Sequence, residues 1–135
     1  MLNQSGVTTV NATTPKSILW APETAVAVPC VVDNVVDNTG VSAGSDGKKM
    51  LMAGTPLSGD LTARNTAFKK AATSGEPAAS NAVGLLLHTV DVTNGKQNAT
   101  VLVSGLVDLN KLDSATAALI TAEVKAALPR ITFVK

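Results

Sequence analysis

Apolar positions in this chain fall in short runs separated by polar, turn-forming clusters, a pattern that predicts strands more often than long helices. The run from Ala25 to Val32 is β-branched almost throughout and reads as a buried strand, with Pro29 marking a bulge or a sheet edge. A second pair of apolar runs, from Val83 and up to Leu109, flanks the polar turn Asn94-Gly95, and Ile131 to Val134 reads as a terminal strand. Two segments carry a helical period. Asp113 is an N-cap for a helix from Ser114 to Leu128, with Ala117, Ile120, Val124, Ala127 and Leu128 on one face and Pro129 as its stop. Asp60 to Ala72 predicts a shorter helix capped by Asp60, with Leu61, Arg64, Phe68 and Ala71 aligned.

The segments 37–47 and 73–81 are loops by composition, and Gly54-Thr55-Pro56-Leu57 turns the chain. Residues 1–15 hold Thr, Asn, Ser, Gly and Val with almost no large apolar group, too little to build a core. Val7, Thr8, Thr9 and Val10 are suited to strand addition on another protein's sheet, and Ile18, Leu19 and Trp20 follow as the first cluster of large side chains. The expected architecture is therefore mainly β with an α+β element: a small sandwich or barrel-like domain over 21–135, an extended arm over 1–20, and one C-terminal helix.

Length and charge narrow the function. A chain of 135 residues fits one domain, and a formal net charge of +1 supplies no field to gather nucleic acid or an anionic membrane surface. Aromatic residues are only 2% and tyrosine is absent, which counts against stacking on bases or sugars. The N-terminus lacks the pattern of a signal peptide and no run is long enough to span a membrane, so synthesis in a cytoplasm is expected.

Candidate chemistry is sparse. Cys30 is the single cysteine, set among apolar neighbours in sequence with no cation beside it, and reads as a small buried hydrophobe. His88 is the single histidine, and no Gly-x-Ser-x-Gly elbow accompanies it. The aspartates sit mostly at turns and strand ends, and no calcium-loop spacing is present. No enzyme activity, cofactor or metal is expected from this inventory.

The block from Ala82 to Thr93, with Ala99 to Leu112 after it and Gly54-Thr55-Pro56-Leu57 before it, resembles the head decoration and head fibre proteins of tailed bacteriophages. The resemblance covers about half of the chain, from Lys48 to Leu112. It implies a capsid cement protein, similar to the lambda-type decoration protein, that forms homotrimers on the outer surface of an expanded head. The major capsid protein would be the partner, with Val7, Thr8, Thr9, Val10, Ile18, Leu19 and Trp20 of the arm as the binding residues. The alternative it leaves open is the base of a head fibre or a host-surface adhesin.

Overall fold

The structure is a computed structural model that describes residues 17–33, 47–71 and 80–135. Eight strands are present among them: β1 (Val26–Val32), β2 (Met50–Leu51), β3 (Pro56–Ser58), β4 (Lys69–Lys70), β5 (Gly84–Leu86), β6 (Val90–Asp91), β7 (Gln97–Asp108) and β8 (Ile131–Val134). Two short helices, α1 (Ser114–Ala117) and α2 (Ala122–Ala127), lie between β7 and β8. The chain is mainly β, as its run pattern predicts.

The main sheet runs in the order β1-β7-β5-β3-β4, antiparallel at every step, with β8 added to β7. Its two ends then meet. The Phe68 N–H, just before β4, donates to the Val31 carbonyl at 2.7 Å, and Phe68 bridges Val32 in the parallel sense. This contact joins the last strand to the first at the Val31–Val32 end of β1 and makes the sheet barrel-like, covering part of the open edge a five-stranded sheet would present.

Alternation along the strands divides the apolar side chains into two cores. Val101 of β7 and Leu86 of β5 pack with Cys30, Val32, Leu57 and Phe68 inside the closed sheet, while Leu51 and Val92 plug it from the β2–β6 pair. Their neighbours Leu102 and Leu85 point the other way. There they meet Ile120, Val124, Leu128 and Ile131, so the C-terminal segment is held on the sheet's outer face by the stripe its period predicts.

Strand β7 is the organising element. Its first half pairs with β1 and β5, and its second half pairs in parallel with β8, from Gly105↔Ile131 to Asp108↔Val134. The helical segment is the crossover that a parallel pair requires. The switch occurs at a bulge: Val26 faces Ser104 but Ala27 faces Leu102, leaving Val103 over. Gly105 follows at φ +148°, and a Cβ there would lie 3.3 Å from the Ala25 Cα.

Three sequence expectations are corrected. The helix over 114–128 is two helices, because Thr121 leaves the helical conformation and its Oγ1 accepts from the Val124 N–H at 3.3 Å, recapping the chain for α2. No helix forms over the described part of 60–72. Asp60 instead accepts from the N–H and hydroxyl of Thr62 in a turn, and Phe68 is drawn into the barrel with no exposed surface. The apolar run before Asn94-Gly95 is not one strand either. It breaks at Leu87–Thr89 into β5, which pairs with β7, and β6, which leaves to pair with β2.

Candidate docking surface

Ser17 to Trp20 runs antiparallel beside the second half of β7, on the side opposite β8. The Asp108 N–H donates to the Ile18 carbonyl at 2.9 Å, the Trp20 N–H donates to the Leu106 carbonyl at 3.0 Å, and Leu19 bridges Val107. Lys111 reaches back with its Nζ to the Leu19 carbonyl at 3.1 Å. Three hydrogen bonds over so few residues fix this segment in place.

This placement corrects the boundary drawn at residues 20 and 21. Ile18 is 1% exposed and Leu19 is 7% exposed, both within the outer core, so they are domain residues and their side chains are not displayed to a partner. The reason is local: Val107 and Leu112 leave apolar room along β7 that this segment fills. Trp20 is the exception. It is 59% exposed, the most exposed large apolar side chain among the described residues, and Val26 at 54% follows a short exposed 3₁₀ turn over Pro22–Thr24. Val7, Thr8, Thr9 and Val10 lie outside the described residues.

A groove of about 550 Å³ opens beside this segment, lined by Ile18, Met52, Ala53, His88, Thr89, Lys111 and Asp113. Its polar groups are engaged in holding the fold. Thr89 Oγ1 accepts from the Ala53 N–H at 3.0 Å, Asp113 Oδ2 accepts from the Ala115 N–H at 3.2 Å at the start of α1, and Lys111 is tied to Leu19. His88 is exposed at the break between β5 and β6. The groove contains no nucleophile and base oriented by a third group.

Cys30 is buried, and burial pushes its thiol above the ordinary value while the nearby Arg64 guanidinium pulls partly back. That cation is invisible in the local sequence. Arg64 comes from the turn before β4, where its Nη1 donates to the Pro29 carbonyl at 2.9 Å. Two exposed carboxylates share one geometry: Asp60 and Asp91 each accept from the hydroxyl and N–H of the threonine two residues on, which holds both below the ordinary carboxylate value. Among the described residues no three His, Cys, Asp or Glu side chains come together as a metal site, and no helix is long and apolar enough to cross a membrane.

No protein-family model matches the chain, and no curated protein matches it in sequence.

Proposed function

We propose that this protein is a structural virion protein that binds the outer surface of a phage capsid as cement, with the major capsid protein as its partner. The observation that supports the reading most is the placement of Trp20, an exposed aromatic side chain on a backbone pinned to the central strand. A rigidly held aromatic group is the kind of anchor on which binding energy concentrates at interfaces. The residues preceding Ser17 in the sequence are rich in β-branched and polar side chains suited to strand addition.

One such contact binds weakly if each residue it fixes costs roughly 1 to 2 kcal/mol of backbone entropy. Assembly as a trimer offsets this by making the second and third contacts intramolecular, a gain in avidity of about 10² to 10⁴. The test is to mix the purified protein with phage heads assembled without it, expanded and unexpanded, and to pellet them. Protein in the pellet with expanded heads supports cement. Protein left in the supernatant by both, but bound to host cells, replaces it with the adhesin reading.

A further inference from the structure

We propose that Asn94 is a site of spontaneous deamidation in the folded protein. The chain contains a single Asn-Gly sequence, Asn94-Gly95, and it occupies an exposed turn. Glycine after asparagine removes the side chain that would otherwise shield the next backbone nitrogen. Around Gly95 the space is also open, since a Cβ built there meets no atom within 4 Å.

The fold decides whether that chemistry is suppressed. In a hairpin with Asn-Gly at its tip, the bonds between the residues flanking the turn would hold it closed. Here β6 leaves to pair with β2, and β7 begins its own pairing at Gln97 against Val32 of β1. One hydrogen bond, from the Gly95 N–H to the Val92 carbonyl at 3.1 Å, restrains the attacking nitrogen. The Asn94 carboxamide has no hydrogen-bond partner among the described residues. Opening one exposed turn therefore frees both reacting groups without disturbing either core.

The reaction balances with water alone. The deprotonated Gly95 nitrogen attacks Asn94 Cγ, the Cγ–Nδ2 bond breaks, and ammonia leaves as a five-membered succinimide closes. Water then adds to one of the two ring carbonyls and opens it to aspartate or isoaspartate. The product places a new carboxylate between Asp91 and Lys96 and lowers the formal net charge from +1 to zero. In the isoaspartate form the backbone gains a methylene at the connection between β6 and β7.

The experiment incubates the native protein from neutral to mildly alkaline pH and maps the mass gain of amide-to-acid conversion by peptide mass spectrometry. Asn98 and Asn110, each followed by a residue with a side chain, serve as internal references, and an Asn94→Ser variant serves as the blocked form. The proposal expects conversion at Asn94 well ahead of the references, rising with pH, and an acidic charge variant that the Asn94→Ser protein does not form. It is overturned if Asn94 in the native protein converts no faster than Asn98, or if conversion occurs only after unfolding in urea.

Discussion

The backbone N–H of Phe68 meets the carbonyl of Val31 at 2.7 Å, joining the two ends of a five-strand path. The Phe68 ring completes the same closure from inside, where it packs with Cys30, Val32 and Leu57 without exposed surface. Gly59 permits this, because a Cβ there would sit 2.6 Å from the ring. The Arg64 Nη1 bond to the Pro29 carbonyl assists at this junction, and the apolar part of the closure concentrates at the Phe68 side chain.

Phe68→Ala should therefore cost about 3 to 5 kcal/mol, the range for emptying a buried aromatic site. Urea unfolding followed by circular dichroism measures it. A loss below about 1 kcal/mol would mean the barrel closes through its backbone alone.

Deleting residues 1–16 should leave the melting temperature close to that of the full chain, whereas deleting 1–20 should lower it sharply. The second deletion removes Ile18 and Leu19 from the outer core and leaves the Lys111 Nζ without the Leu19 carbonyl. Burial of two large aliphatic side chains corresponds to roughly 3 to 6 kcal/mol. Equal melting of the two truncated proteins would return these residues to the arm.

Val124→Asp should unfold the domain or destabilise it by several kcal/mol, because it places an unpaired carboxylate where Val124 has no exposed surface. Thermal melting tests this, with the exposed neighbour Lys125→Asp as a control for helix propensity. Parallel losses in both variants would move the effect from burial to the helix itself.

Most of the fold is legible in the sequence because period and composition agree. The Ile131–Val134 strand and the Ile120/Val124/Leu128 stripe occupy the positions their patterns predict, whereas the β-branched run of β1 forms its strand but buries only Cys30 and Val32, because β1 ends the strand order. Where pattern and fold diverge, a distant contact overrides a local preference. The helical spacing around Phe68 loses to the barrel interior, and Ile18 and Leu19, too few to mark a strand alone, gain a place only because β7 outruns β1 and β5. Arg64 over Cys30 is equally non-local. Trp20 is visible as a candidate anchor, but its exposure beside two buried neighbours depends on how the chain lies against β7.

Acid sensitivity has a defined sign. Asp60 and Asp91 are held below their ordinary value of 3.8 by hydrogen bonds from Thr62 and Thr93. A folded-state pKa that is lowered contributes stability above the unfolded value, and that contribution is lost as pH falls through the folded value. An Asp60→Ala, Asp91→Ala double variant should thus melt slightly below the parent at neutral pH, with the difference closing in acid below 3.8. A difference that persists unchanged in strong acid would assign the effect to turn geometry instead of charge.

If the protein decorates a capsid as proposed, the number of copies bound at saturation is fixed by the capsid lattice. Expanded heads lacking the protein are titrated with it and pelleted, and the ratio of bound protein to major capsid protein is measured. A cement protein should reach a plateau at a fixed ratio set by the lattice, with the emission of Trp20, the single tryptophan, shifting to the blue as it leaves water. Binding that never saturates, or no pelleting with heads at all, would contradict it.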